Sequence, residues 1–324
     1  MISDVLGAPR ATLGREANGV AGVAHIGTLF HLTALPTMPT PARYAVIGHP
    51  IAHSLSPFIH ALFAAQTGEC ITYEALDGGA AVDGFERVLA GFWAAGGCGA
   101  NVTLPFKLRA LQCADEASAE ARAAGAANAL RLVDGRVEAH NFDGLGLVRD
   151  LAAHGGALAG ARVLLLGAGG AARGALLPLV QAGAARIVVA NRTALRAQQL
   201  VQELAAHLPA SVQLAACALD ELPAAGAFEV VVNATSASLG GAAPAVPAAA
   251  FAPQTLAYDM VYGKGLTPFL ALARAAGARC ADGLGMLVEQ AAASFAWWRG
   301  VQPDAAAARA QVQRHLKQQG IECL

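Results

Sequence analysis

Arg162-Val163-Leu164-Leu165-Leu166-Gly167-Ala168-Gly169-Gly170-Ala171-Ala172 decides how this chain folds. An apolar strand runs into a glycine-rich turn, and a helix opens directly behind it and continues to about Ala182. The string is GxGxxA. Its glycines serve a tight turn and a close backbone approach to a ligand, and the helix N-terminus favours a pyrophosphate. Spacing alone would be weak evidence, but the strand, turn and helix context makes it specific for a dinucleotide. Gly167, Ala168, Gly169, Gly170 and Ala171 are therefore candidate cofactor contacts. The next strand, Arg186 to Ala190, ends at Asn191-Arg192-Thr193, where an NAD enzyme usually carries Asp or Glu for the ribose hydroxyls. Arginine there suits a 2′-phosphate, and Arg196, one helical turn on, can face the same anion. The expected cofactor is NADP.

Towards the C-terminus, strands at Val212 to Ala216, Glu229 to Val232 and Leu256 to Met260 alternate with helices. A polar loop, Asn233-Ala234-Thr235-Ser236, follows the second of them, and Tyr258-Asp259-Met260-Val261-Tyr262 ends the sheet. A helix from Pro268 to Ala276 follows. Asp282-Gly283-Leu284-Gly285 then introduces a long helix through Trp298, with Met286, Gln290 and Ser294 at helical spacing. Alone, Gln290 reads as an exposed glutamine; it can also reach back to the first half of the chain.

Towards the N-terminus, order begins at the strand Tyr44 to Gly48 and a polar loop holding Ser54 and Ser56. Ser56 can cap a helix with Pro57 at its first position, and Gly68 closes that helix. Capping does not account for Ser54, and two hydroxyls at a strand end suit a carboxylate. After a strand from Ile71 to Leu76 and a helix from Phe85 to Ala95 comes Asn101-Val102-Thr103-Leu104-Pro105-Phe106-Lys107. It reads as a strand end entering a helix, with Pro105 in the first helical turn and the amide, hydroxyl and ammonium of Asn101, Thr103 and Lys107 gathered there. Taken alone, Lys107 reads as a solvated lysine beside a capped helix, and the rest of the chain overturns that. A helical segment through Arg122 gives way to a hairpin, Leu130 to Val133 and Arg136 to Ala139, around Asp134-Gly135. His140-Asn141-Phe142-Asp143-Gly144 precedes a helix from about Leu147 to Ala153, and Asp143 alone reads as its cap. Repeated strand and helix alternation implies parallel pairing and an α/β fold.

With 324 residues, 55% hydrophobic and 14% charged, the chain is long enough for two domains and too apolar for a disordered protein. No apolar run reaches the about 18 to 20 residues of a membrane span. A net charge of −1 leaves no basic footprint for nucleic acid. The six cysteines form no CxxC pair, so reduced thiols in the cytoplasm fit best. No histidine pattern marks a metal, and His53 with His60 reads as a surface pair. Small-molecule partners are expected, with monomer and homodimer both open. Residues 1 to 41 carry no periodicity and read as a disordered leader, with Met38 as an alternative start.

Taken together, the loop Gly48 to Pro57, the Asn101 to Lys107 run, Asn128, Asp143-Gly144, the glycine turn, Asn191-Arg192-Thr193, Asn233 to Ser236, Tyr258-Asp259-Met260 and Asp282 to Gln290 resemble the shikimate dehydrogenase family, in family order. The resemblance implies NADPH-dependent, reversible reduction of 3-dehydroshikimate to shikimate. It implies a substrate domain over residues 42 to 143, completed by about 284 to 324 through C-terminal helices that return to it, and a Rossmann-like NADP domain over 144 to 283. It places Ser54, Ser56 and Tyr262 on the substrate carboxylate, and Thr103, Asn128, Asp143 and Gln290 on its ring oxygens. Lys107 and Asp143 become the catalytic pair, and Met260 and Gly283 line the nicotinamide side. Phe142 stands where the family has Thr, His49 where it has Asn, and Ala129 where Thr is common. Quinate dehydrogenase is a second enzymatic reading, and a ligand sensor without turnover a third. The leader reading has a direct test: a chain starting at Met38 should match the full chain in melting temperature and activity, whereas a fall of several degrees would show that the leader packs on the body.

Overall fold

The computed structural model describes residues 40–205, 208–209, 212–222 and 227–324, so the expected leader lies almost wholly outside the described residues. β1 (Ala42–Gly48) is the hub of a first sheet, pairing in parallel with β2 (Ile71–Asp77) and β3 (Gly97–Val102). Helices α1 (Ser56–Thr67) and α2 (Gly84–Ala94) make the crossovers. The chain then passes through α3 (Lys107–Gln112), β4 (Glu116–Ala117) and α4 (Ala119–Ala124) to the hairpin β5 (Ala129–Val133) and β6 (Arg136–His140). Asp134 and Gly135 take φ of 50° and 77°, the paired positive values that a two-residue Asp-Gly reversal requires.

That reversal, expected at Asp134-Gly135, ends the parallel run that the strand and helix alternation implies for the strands before it. A two-residue turn can join only antiparallel strands, and β5 is antiparallel to both β3 and β6 in the order β2-β1-β3-β5-β6-β4. The segment expected to be helical through Arg122 is three elements. Val137 N donates to Asp115 Oδ2 at 2.7 Å, drawing the chain onto β6, and Ser118 Oγ caps α4 by accepting from Ala121 N at 3.1 Å.

α5 (Asp143–Ala153) leads into the second sheet, beginning four residues before the expected start. β7 (Arg162–Leu166), α6 (Gly170–Gln181), β8 (Arg186–Asn191), α7 (Ala194–Ala205), β9 (Gln213–Ala218), β10 (Val230–Asn233), β11 (Leu256–Asp259), α8 (Pro268–Ala275) and β12 (Arg279–Asp282) follow, and the sheet is parallel throughout, β12-β11-β10-β7-β8-β9. Its central strands are apolar at nearly every position because both faces are covered. Val163 and Leu165 enter one core with Ile187 and Tyr258, while Leu164 and Leu166 enter the opposite core with Val188 and Phe269. The sheet does not end at Tyr258 to Tyr262: β12, too short to show a period, adds to β11 at the edge.

α9 (Leu284–Arg299) and α10 (Ala305–Gln318) are the C-terminal helices that return to the first sheet as expected, the second of them without bounds in the sequence reading. Ile59 and Phe63 of α1 pack with Val288 and Phe295 of α9 and with Val312 and Leu316 of α10.

His60 corrects the expected surface pair, because its side chain is fully buried while His53 is exposed. The imidazole stacks on Tyr73 at 4.1 Å, and neither ring nitrogen has a hydrogen-bond partner among the described residues. Burial lowers its pKa to about 3 from the usual 6.5. Between those values the unfolded chain binds a proton that the folded chain excludes, so this contribution to stability is lost as pH falls through the window. At about 1.4 kcal/mol per pH unit, His60 should remove about 2 kcal/mol of stability between about pH 6.5 and 5. Urea unfolding at pH 7, 6 and 5 should show a shallower acid loss for His60→Phe than for wild type; equal slopes would refute the assignment.

Candidate active site

Lys107 is the first residue of α3 and Asp143 the first of α5, and their side chains meet, Nζ to Oδ2, at 2.6 Å. A carboxylate suits a helix N-terminus and an ammonium does not, so the pair neutralises a charge that α3 alone would disfavour. Each side chain is about a quarter exposed, at 26% and 23%, so the pair faces a cleft instead of lying in a core. Pro105, expected in the first helical turn, instead sits in the turn before α3 after a cis Leu104-Pro105 bond, and the helix starts two residues later. Asp143 does not cap α5 with its side chain. Asn141 Oδ1 accepts from Asp143 N at 3.0 Å, which leaves the Asp143 carboxylate for the cleft.

Asn128 is the hub beside this pair. Its Oδ1 accepts from Phe142 N at 2.8 Å, and its Nδ2 donates to Asp143 Oδ1 at 2.8 Å and to Gln290 Oε1 at 3.1 Å. Gln290 therefore reaches back from α9, and the exposed-glutamine alternative falls. Phe142 contributes to the hub through its backbone. Its ring stacks on His140 at 3.9 Å and meets Trp297 edge-on, which accounts for an aromatic residue at this position. Burial there pushes the His140 pKa down.

These groups line a cavity of about 370 Å³. Ser54, Ser56 and Tyr262 stand in its wall with Thr103, Asn128 and Gln290, as do Met260 and Gly283. Ser56 is the first residue of α1 and not its side-chain cap; Ser54 Oγ instead accepts from Ser56 N at 3.3 Å. Burial raises the Tyr262 pKa, so its hydroxyl remains a donor. Asn101, Ile51, His53, Met286 and Leu287 also line the cavity. Met286 lies four residues before Gln290 on α9, a spacing visible in the sequence.

A second cleft of about 1390 Å³ runs along the C-terminal ends of the parallel strands. Gly167, Ala168, Gly169, Gly170 and Ala171 form one wall, and Asn191, Arg192, Thr193 and Arg196 stand at the end of β8. Gly167 takes φ of 107°, and a Cβ there would lie 3.1 Å from Thr235 Cγ2. Beyond Gly169 and Gly170 the space is open, the cradle that a pyrophosphate needs. Gly283 lines the smaller cavity and not this cleft. Arg173, Leu219, Asp220 and the segment 242–245 also line the cleft, and no sequence signal marked them. Lys107, Asp143, Met260 and Met286 line both spaces, which therefore meet at the ion pair.

A dinucleotide cleft along one sheet, opening onto a proton-carrying pair borne by another, defines the class of two-lobed, dinucleotide-dependent dehydrogenases. Residues 46–130 match the profile of the shikimate dehydrogenase substrate binding domain, residues 150–240 that of shikimate / quinate 5-dehydrogenase, and residues 283–313 that of the shikimate 5′-dehydrogenase C-terminal domain. Shikimate dehydrogenase (NADP(+)) of Bordetella avium is 52% identical over 285 residues, 87% of this chain and 99% of that protein. The chain belongs to the shikimate dehydrogenase family. Among solved structures, the Ael1 enzyme of Pseudomonas putida is 51% identical with a TM-score of 0.78, covering 83% of this chain and 97% of that one. Shikimate 5-dehydrogenase of Thermus thermophilus, solved with NADP(H) and shikimate, is 36% identical with a TM-score of 0.73, covering 84% and 99%.

Proposed function

We propose that this chain interconverts 3-dehydroshikimate and shikimate with NADP(H), in the shikimate pathway. The observation that carries the reading is the Lys107 and Asp143 pair standing at the junction of the two cavities, where a ring carbon and its oxygen must lie for transfer between substrate and cofactor. The substrate domain is residues 42–143 completed by 284–324, and the NADP domain is 144–283. A cytoplasmic location and a monomer or homodimer complete the reading.

The open face at Gly169 and Gly170, and the exposed guanidinium groups of Arg192 and Arg196 on the same cleft, fit a dinucleotide bearing a 2′-phosphate. When bound, the cofactor exchanges a hydride with the substrate carbon. Met260 and Gly283 shape that side of the junction. Ser54, Ser56 and Tyr262 donate hydrogen bonds to the carboxylate, and Thr103, Asn128 and Gln290 orient the ring oxygens. In reduction, Lys107 Nζ gives a proton to the oxygen that gains charge, and Asp143 holds the ammonium in place. In oxidation the proton returns to Lys107. Such proton transfer contributes about 10² to 10⁴ in rate.

Lys107→Ala should therefore lower turnover about 10²- to 10⁴-fold while the dissociation constant for shikimate stays within a few-fold. Binding lost with turnover at saturation unchanged would assign Lys107 to binding alone. Loss of one charge-assisted hydrogen bond to the 2′-phosphate should raise the Michaelis constant for NADP about 10- to 100-fold in Arg192→Ala and leave NAD use nearly unchanged. Equal losses with both cofactors would assign Arg192 to the fold. A spectrophotometric comparison of shikimate and quinate, each with NADP and NAD, tests the whole reading.

A further inference from the structure

Tyr73 lies on β2 behind the wall of the smaller cavity and does not line it. Its hydroxyl nonetheless belongs to a chain of hydrogen bonds whose direction is fixed at every link. Ser294 Oγ donates to Gln290 O at 3.0 Å, so toward Asn101 Nδ2, 2.9 Å away, it is the acceptor. Asn101 Nδ2 donates its other hydrogen to Asn128 O at 3.1 Å. With both amide hydrogens spent, Asn101 must turn its Oδ1 to Tyr73, and the Tyr73 hydroxyl, 2.8 Å away, must donate. Asn101 is only 6% exposed, so the loss of one of its partners is costly.

We propose that Tyr73 is a positioning residue for substrate binding, whose hydroxyl locks the Asn101 amide and, through it, the Asn128 strand edge and the Gln290 turn of α9. The inference rests on the reading of this cavity as the shikimate site. Without the Tyr73 hydroxyl, Asn101 Oδ1 loses the donor that faces it. A flip of the amide does not relieve this, because it sets Oδ1 against the Asn128 carbonyl or leaves an N–H facing nothing. The Tyr73 ring itself is held independently, stacked on His60 at 4.1 Å with planes 10° apart and near Trp298. His60 is neutral at any working pH, so this support does not change with pH. Tyr73→Phe therefore removes one oxygen and leaves the stack.

The experiment measures steady-state kinetics and melting temperature of the full chain with shikimate and NADP. In Tyr73→Phe the Michaelis constant for shikimate should rise about 5- to 10-fold, the loss of about one net hydrogen bond, with that for NADP and the turnover number within about twofold. Ser294→Ala, which frees the same amide from the other side, should shift the same constant in the same direction. Because both act through Asn101, the double variant should lose less than the product of the single losses. A lower melting temperature with an unchanged Michaelis constant for shikimate in both single variants would make Tyr73 purely structural and overturn the proposal. So would losses that multiply in the double variant. A wild-type protein that turned over no shikimate would instead sink the functional reading on which the inference rests.

Discussion

The buried carboxylate of Asp150 is the interaction on which the arrangement of the two sheets depends. It is 1% exposed, and its two oxygens accept from Tyr258 Oη at 2.7 Å and Arg309 Nη1 at 2.9 Å, with His154 Nδ1 3.4 Å away. One group thus ties α5 to β11 and to α10. A Cβ on Gly285 would fall 2.0 Å from Asp150 Oδ1, so α9 lies against the same carboxylate and only glycine fits at its first turn. Taking this charge out of water costs several kcal/mol unless it is paired and hydrogen-bonded, and here it is both. Removal of Arg309 would leave an unpaired buried charge, so the last helix cannot be lost without consequence for the cleft.

The clamp matters because the site is built at the ends of the elements it joins. Asp143 starts α5, Gln290 sits on the second turn of α9, and Lys107 starts α3. Asn128 bonds to two of these side chains, and Val102 N donates to Asn128 O at 2.9 Å, tying the hub to β3. The substrate cavity is therefore held by helix starts and strand ends, with one ion pair among neutral amides and hydroxyls.

What the sequence made legible follows from how local each signal is. The glycine turn, the Asp-Gly hairpin and the alternating apolar strands are set by neighbours along the chain, and all appear where expected. The antiparallel pairing of β5 comes with that same hairpin, because pairing direction is set by the connection, while β1, β2 and β3, joined by helical crossovers, pair in parallel. β4 and β12 have two and four residues, too few for a period to show. Ser54, Ser56, Lys107 and Asp143 were legible as polar groups at strand ends, but their side-chain roles in capping were not, since capping depends on where a helix begins. His60 was misread because its burial comes from α9, more than two hundred residues away. Arg173 and Asp220 carried no signal for the same reason: the cleft recruits them in space only.

A second buried carboxylate, with no ion-pair partner among the described residues, shows how the second sheet's edge is fixed by neutral donors. Asp259, fully buried, accepts from Ser238 Oγ at 2.6 Å, Thr267 Oγ1 at 2.8 Å, and Asn233 Nδ2 and Val261 N at 3.2 Å each. Neutral donors that satisfy a carboxylate can replace a cation, provided none is missing. These donors come from the end of β10 and the loop after it, from the segment after β11 and from the start of α8, so one residue orders both loops at this edge of the second sheet. Met260 lies between them. Its N donates to Asn233 O at 3.1 Å, and a Cβ on Gly283 would be only 2.2 Å from its carbonyl oxygen. Met260 is thus held by its backbone on both sides while its side chain lines both cavities. Met260 is therefore fixed by the second sheet, and Lys107, at the start of α3 behind β3, is fixed by the first. The distance between them is then set by what joins the sheets, and α5 carries Asp143 at one end of that connection and Asp150 two turns further on.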